Sequence, residues 1–128
     1  MAAKHDKRRA AVLIIDDEPA FLTAVSILLE RKGHRVVASV SATEAIRRFR
    51  EDQIKVAIVD MHLHDAAGTD VVQELKSDDA APPIIMISSD DRPETVERCF
   101  AAGADRFMSK PVAPKKLLEA VAEVAGRN

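Results

Sequence analysis

Acidic, hydroxyl and basic side chains stand directly after short apolar runs at four places in this chain. "AVLII" is followed by Asp16, Asp17 and Glu18, "KVAIV" by Asp60, "PIIMI" by Ser88 and Ser89, and "RFMS" by Lys110 and Pro111. Brought to one place, these residue types have a definite chemistry. The carboxylates of Asp16, Asp17 and Asp60 held close together would repel one another and raise their pKa values unless a cation intervened. Magnesium suits one or two carboxylates combined with phosphate oxygens and water. A carboxylate is also a nucleophile that forms an aspartyl-phosphate. A lysine and a metal ion neutralise the charge on a transferred phosphoryl group, and a serine hydroxyl hydrogen-bonds one of its oxygens.

The stretch "AIVDMHLHDAAG" (57–68) offers a competing pair, His62 and His64. No cysteine lies near them and the other two histidines, His5 and His34, are elsewhere, so the pattern argues against a zinc or copper site. Both read as solvated loop residues. Cys99 is the one cysteine. It has no disulfide partner within the chain and reads as a small apolar filler.

The elements that must position these residues are legible as alternating patterns. Five aliphatic runs, 11–15, 35–39, 55–59, 83–87 and 106–109, mostly lack polar alternation, which suits strands buried on both faces. Helical periodicity fills the gaps. Phe21, Leu22, Val25, Leu28 and Leu29 share a face over 19–32. Ser41 with Glu44 reads as a capping box ahead of Ala45, Ile46 and Phe49. Val71, Val72 and Leu75 mark a helix over 69–77, and Asp91 with Glu94 opens another that runs through Val96, Cys99 and Phe100. Pro114 starts the last, striped by Leu117, Leu118, Val121 and Val124. Gly33, Gly103 and Gly126 fall where helices should end. Strand and helix thus alternate five times, which predicts right-handed crossovers and a parallel sheet covered on both faces. The functional loops of such a sheet lie at the carboxyl ends of its strands.

Composition bounds the rest. A chain of 128 residues is one domain by default, with 47% hydrophobic and 31% charged residues. With four Phe and no Trp or Tyr, aliphatic side chains must fill the core. A formal net charge of −2 gives no drive toward nucleic acid or an anionic membrane. The apolar runs are too short to span a bilayer, and "MAAKHDKRR" is not followed by a signal-type segment. The expectation is a cytoplasmic domain over 10–126 behind a flexible arm, 1–9. "MAAKHDKRR" reads as a natural start, which favours a domain at the N-terminus of its protein; a stand-alone domain and one part of a longer chain both stay open. Arg47, Arg48, Arg50 and Lys55 read as a solvated face.

From about Val12 to Ala125 the chain resembles a response-regulator receiver domain of two-component signalling. The matching residues are Asp16–Asp17, Asp60, Ser88 and Lys110–Pro111, in order, within "PIIMISS" (83–89) and "GADRFMSKP" (103–111) for the later motifs. The resemblance implies a single doubly wound (βα)5 domain of the flavodoxin-like type, with a five-stranded parallel sheet in the order 2-1-3-4-5. It implies that Asp60 is the phosphoacceptor. Magnesium or manganese would be held by Asp16, Asp17, Asp60 and the backbone carbonyl of Met61. Lys110 and Ser88 would bind the phosphoryl group, Ser88 and Phe107 would act as switch residues, and the Lys110–Pro111 peptide would be cis. His62 and Asp90, facing each other across the site, would tune the phosphorylated lifetime, as an ion pair. The implied partners are a sensor histidine kinase or phosphotransfer protein and a downstream output domain or protein. The output surface would lie around the fourth and fifth helices, and a phosphorylation-dependent dimer is compatible with the pattern. No direct nucleic-acid binding, membrane association or conventional enzyme activity is expected.

The chain departs from the family's pattern at Leu63 and His64, where Met-Pro is frequent, so the loop after Asp60 lacks a rigid turn residue. Ser88 stands where threonine is common, and Ser89, itself small, where a small residue such as alanine is usual. Two other functions compete. One is a receiver-like binding module that is never phosphorylated. The other is a phosphohydrolase of the haloacid dehalogenase type, but its nucleophile follows the first strand in a "DxD" pattern, and here that strand ends in "DDE" with no cap insertion.

Overall fold

Aliphatic runs without polar alternation need cover on both faces, and the chain supplies it by alternating them with amphipathic helices. A computed structural model describes residues 9–126. Its strands are β1 (Ala11–Ile15), β2 (Arg35–Ser39), β3 (Ile54–Asp60), β4 (Ile84–Ser88) and β5 (Arg106–Ser109). Its helices are α1 (Pro19–Arg31), α2 (Ala42–Glu51), α3 (Gly68–Lys76), α4 (Pro93–Ala102) and α5 (Pro114–Ala125). The strands form one sheet in the order β2-β1-β3-β4-β5, and every neighbouring pair is parallel. This is the alternating α/β architecture and strand order expected. All but one residue of the expected arm, 1–8, lie outside the described residues.

The pleat divides the core in two. Leu13, Ile15, Ala57, Val59, Ile84 and Met86 pack with α2, α3 and α4 residues such as Phe49, Val72, Leu75 and Cys99. The alternate positions, Val12, Ile14, Val56, Ile58, Ile85 and Ile87, pack with Leu22, Val25 and Leu29 of α1 and Leu117, Val121 and Val124 of α5. β1 and β4 are buried throughout. β3 is half-buried at Ile54 and Lys55 only, and the edge strands are more open: β2 exposes Ala38, and β5 is half-buried with Ser109 exposed. Burial of these aliphatic side chains supplies the main drive to fold, at about 1.5–3 kcal/mol for each large one fully buried.

Helix ends follow local chemistry with two differences from expectation. Ser41 caps α2, its Oγ accepting from Glu44 N–H at 3.2 Å. The reciprocal half of the box is absent, because Ser39 Oγ already takes the Ser41 N–H at 3.1 Å and Glu44 turns to Arg47. α4 begins at Pro93 with Arg92 as its N-cap, not at Asp91. The preset φ of proline favours the first helical turn, and the Asp91 carboxylate accepts from the Ser109 hydroxyl at 3.1 Å instead. Gly33 and Gly103 have φ of +91° and +123°, which glycine adopts without a Cβ penalty.

The helix-α2 arginines are paired rather than simply solvated: Arg47 with Glu44 and Glu51, Arg50 with Glu74 of α3. At the amino ends of the strands Arg35 and Asp52 form a buried ion pair, their side chains 4% and 0% exposed, and Arg35 also donates to the Arg9 carbonyl. Arg48 Nε lies farther off, 3.6 Å from Asp52 Oδ2, so removing Arg35 leaves Asp52 buried beside one distant cation; breaking a buried pair costs about 3–5 kcal/mol. Arg35→Ala is therefore expected to lower the unfolding free energy by about 3 kcal/mol in a urea titration. A loss under 1 kcal/mol would mean that the pair is hydrated in solution.

Candidate functional site

The carboxyl ends of β1, β3, β4 and β5 form one rim, and the sheet's hydrogen bonding continues past the strands to hold it. Asp16 N–H donates to the Ser39 carbonyl at 3.1 Å, Met61 N–H to Ile87 at 2.9 Å and Lys110 N–H to Ser88 at 2.8 Å. The main chain at each reactive position is thereby fixed against a neighbouring strand.

On this rim Asp16, Asp17 and Asp60 converge, and one carboxylate oxygen from each lies within 4.8 Å of the others. Asp16 and Asp60 are buried and Asp17 is half-buried. The Lys110 ammonium lies 2.8 Å from Asp16 Oδ2, 2.7 Å from Glu18 Oε1 and 3.4 Å from Asp60 Oδ2. It also sits 4.9 Å from the centroid of the Phe21 ring, within cation–π range. Asp16 Oδ1 accepts from Glu18 N–H at 2.9 Å, and Asp60 Oδ1 accepts from His62 N–H at 3.1 Å. An open cavity of about 570 Å³ lies over Asp60 and Lys110, walled by Glu18, Phe21, His62 and Ser89 with Pro111 and Val112.

The electrostatics follow from burial. Burial pushes the Asp60 carboxyl above its ordinary range, and the Asp16 charge adds to this, while the His62 amide and Lys110 oppose it. Burial alone would lower the Lys110 pKa. Its close contacts with Asp16 and Glu18, with the charges of Asp60 and Asp16, reverse that and hold the ammonium charged. Lys110 in turn holds the Glu18 carboxyl below its usual value. Asp16 Oδ2 is buried and makes no directional hydrogen bond, although the ammonium lies close to it. Two buried carboxylates and a third beside them against one shared ammonium leave excess negative charge. A hard divalent cation fits that all-oxygen donor set.

The remaining expected residues have partners of their own. The Met61 carbonyl accepts from Gly68 N–H at 2.7 Å within the β3–α3 loop, a bond that occupies one of its two lone pairs. Ser88 is fully buried and its Oγ accepts from Asp90 N–H at 2.9 Å; Ser89, not Ser88, walls the cavity. His62 and Asp90 form no ion pair. The Asp90 carboxylate accepts from Arg92 Nε at 2.9 Å, Arg92 Nη2 at 2.8 Å and the buried Thr95 hydroxyl at 2.9 Å, and these bonds hold its pKa far below the carboxylate range. The nearer, bidentate guanidinium takes the carboxylate. Phe107 is half-buried against the core beneath α2, α3 and α4. The Lys110–Pro111 peptide is cis.

Three contributors were not assigned a role from the sequence. Glu18 and Phe21 hold Lys110; Glu18 was visible in "DDE", but nothing in the pattern tied it to a lysine 92 residues away. Asp65 docks the loop after Asp60 onto α2, accepting from the Ala42 and Thr43 amides at 3.1 and 3.3 Å and from the Ser41 hydroxyl at 3.2 Å. A carboxylate at a helix N-terminus is favoured by the unpaired amides there. With the Gly68–Met61 bond, Asp65 fixes the loop that lacks proline.

Comparison with known proteins agrees with this geometry. The family model described as the response regulator receiver domain matches residues 12–122. The sensory/regulatory protein RpfC of Xanthomonas campestris is 32% identical over 92% of this chain and 17% of its own length. The transcriptional regulatory protein KdpE of Mycobacterium tuberculosis is 33% identical over 91% of this chain and 51% of its own length. The chain thus spans about half or less of these curated relatives. Among solved structures, a CheY-like receiver domain from Methanospirillum hungatei superposes with a TM-score of 0.87 at 28% identity, covering 92% of this chain and 94% of that one.

Proposed function

This chain belongs to the response-regulator receiver domain family, a phosphoacceptor signalling module and not a conventional enzyme, and from that premise we propose that Asp60 is the residue that accepts the phosphoryl group. The donor is the phosphohistidine of a sensor histidine kinase or phosphotransfer protein. The observation that carries the reading is the convergence of Asp16, Asp17, Asp60 and Lys110 at one end of the sheet. In transfer an Asp60 carboxylate oxygen forms the new O–P bond while the donor's N–P bond breaks, and its electron pair stays with the imidazole nitrogen. Lys110, already 3.4 Å from Asp60, neutralises charge on the phosphoryl oxygens. Magnesium or manganese, held by Asp16, Asp17 and Asp60, would supply further neutralisation of those oxygens when bound.

Signal output follows from a change of partner. The Ser88 hydroxyl turns from the Asp90 amide toward the phosphoryl group, and Phe107 responds on the adjoining strand. The surface of α4, β5 and α5 then presents a second state to a downstream domain or protein. Half-exposed β5 and the exposed Phe100 on α4 support that location. No described helix is long and apolar enough to cross a membrane, in keeping with cytoplasmic action.

The test is direct. Protein incubated with magnesium and acetyl phosphate should gain the mass of one base-labile phosphoryl group, and Asp60→Asn should gain none. An adduct that persists in Asp60→Asn, or none in the parent, defeats the assignment; in the second case the domain acts as an unphosphorylated binding module.

His62 and Asp90 should still affect the phosphorylated lifetime, by separate routes. His62 walls the cavity mouth and its amide holds Asp60, whereas Asp90 anchors α4 through Thr95. We expect His62→Ala and Asp90→Ala each to change the rate of phosphoryl loss by about threefold or more, the effect of roughly 0.7 kcal/mol on a barrier. Unchanged loss in both, followed by mass spectrometry after donor removal, would remove them from the mechanism.

A further inference from the structure

Glu18 occupies the N-cap position of α1, yet its side chain makes no capping bond. Glutamate is not among the residues that cap well there. Its main chain is nevertheless fixed, by the bond from its amide to Asp16 Oδ1 at 2.9 Å and by Pro19 in the first turn. The side chain reaches across the cavity mouth instead, placing Oε1 2.7 Å from Lys110 Nζ. The same ammonium lies 3.4 Å from Asp60 Oδ2 and over the Phe21 ring. Lys110 is therefore held closer to Glu18 than to the proposed acceptor.

We propose that Glu18 is a positioning residue for phosphoryl uptake: it holds the Lys110 ammonium at the cavity mouth in the unphosphorylated protein and so limits the rate at which Asp60 is phosphorylated. This rests on the acceptor reading of Asp60. As the Asp60 oxygen bonds to phosphorus and the donor's bond to phosphorus breaks, with its electron pair leaving on the donor, Lys110 must turn to the phosphoryl oxygens. The contact with Glu18 stabilises the state before transfer and is lost in the transition state. Once the phosphoryl group is on Asp60, Lys110 has already left Glu18. Hydrolysis therefore starts from a state in which the Glu18 contact is broken, and Glu18 does not enter its barrier.

The experiment is Glu18→Gln, which removes the charge and keeps the shape at an exposed position. Uptake from acetyl phosphate with magnesium is followed across donor concentration, and loss is followed after donor removal. We expect the saturating uptake rate to rise about three- to fivefold, the scale of an exposed ion pair, with the rate of loss unchanged. In a Lys110→Met background the same substitution should give no acceleration, because the two residues act as one unit. A change confined to the donor concentration at half-saturation would indicate simple repulsion of an anionic donor and overturn the proposal. Equal acceleration with Lys110 absent, equal change in uptake and loss, or no change in uptake would each overturn it as well. A parent protein that takes up no phosphoryl group defeats the acceptor reading and this proposal together; a phosphorylated parent with unaltered Glu18→Gln rates defeats this proposal alone.

Discussion

Gly68→Ala is expected to lower the unfolding free energy by about 3 kcal/mol, a fall in Tm of about 10 °C for a domain of this size. Gly68 opens α3 and lies directly against the end of β3. A Cβ there would strike the Asp60 carbonyl oxygen and come within 2.7 Å of Met61 Cα and 2.8 Å of Met86 Cε. Met86 could rotate away, but the first two neighbours are main chain at and just past the end of the central strand. Either α3 shifts outward, breaking the Gly68–Met61 hydrogen bond of 2.7 Å, or Asp60 moves. Displacement of a reacting group by about 1 Å costs about 10²-fold in rate, so phosphoryl uptake should fall with stability. Gly126→Ala is the matched control, since its nearest neighbour would be 3.4 Å away; thermal melts should place it within about 0.5 kcal/mol of the parent. Equal melting of both variants and the parent would show that the close approach at Gly68 relaxes freely.

The second large effect is at Asp60 itself. Asp60→Asn should abolish phosphoryl uptake and yet stabilise the metal-free protein at neutral pH. Burial and the Asp16 charge raise the Asp60 pKa in the folded state. A raised pKa means that the folded protein binds this proton more tightly than the unfolded chain does. Its contribution to stability is thus fully present below the unfolded value, about 3.9, and is lost as pH rises through the higher folded value. The asparagine amide carries no such dependence. Urea titrations in a chelator from pH 4 to 8 should therefore show the variant gaining on the parent as pH rises, with the gain vanishing at the acid end. Added magnesium should narrow or reverse the gain, because the parent retains the third carboxylate for the ion. A stability difference independent of pH would mean that Asp60 is well solvated in the folded protein.

What was legible in the sequence was what periodicity and strand ends encode. Buried parallel strands need continuous aliphatic runs, so "AVLII", "RVVAS" and "RFMS" coincide with β1, β2 and β5 to the residue. Strand ends in a doubly wound sheet share a rim, which is why Asp16, Asp17, Asp60 and Lys110 meet. The differences arise where several side chains, near and distant in sequence, compete for one group. Asp91 is taken by Ser109 of β5 and Asp90 by Arg92 and Thr95, so Asp91 does not open α4 and Asp90 forms no ion pair with His62. Glu44 satisfies the capping pattern but finds Arg47 nearer. The Gly68–Met61 bond forms because Gly68 permits α3 to approach β3, and that approach is a property of three-dimensional packing. Asp65 as the anchor of the loop onto α2 had no local signal, since its partners lie about two dozen residues earlier.

The hydrogen bonds that carry the sheet ladder beyond its strands, from Asp16 to Ser39, Met61 to Ile87 and Lys110 to Ser88, bear on what a phosphodonor must bring. The orientational entropy of gathering nucleophile and countercharge is discharged when the chain folds, not when it meets its donor. A donor then needs only a phosphorus atom with a good leaving group. The kinase, on this view, contributes choice of partner and local abundance of phosphoryl groups, while the capacity to accept one resides in this domain.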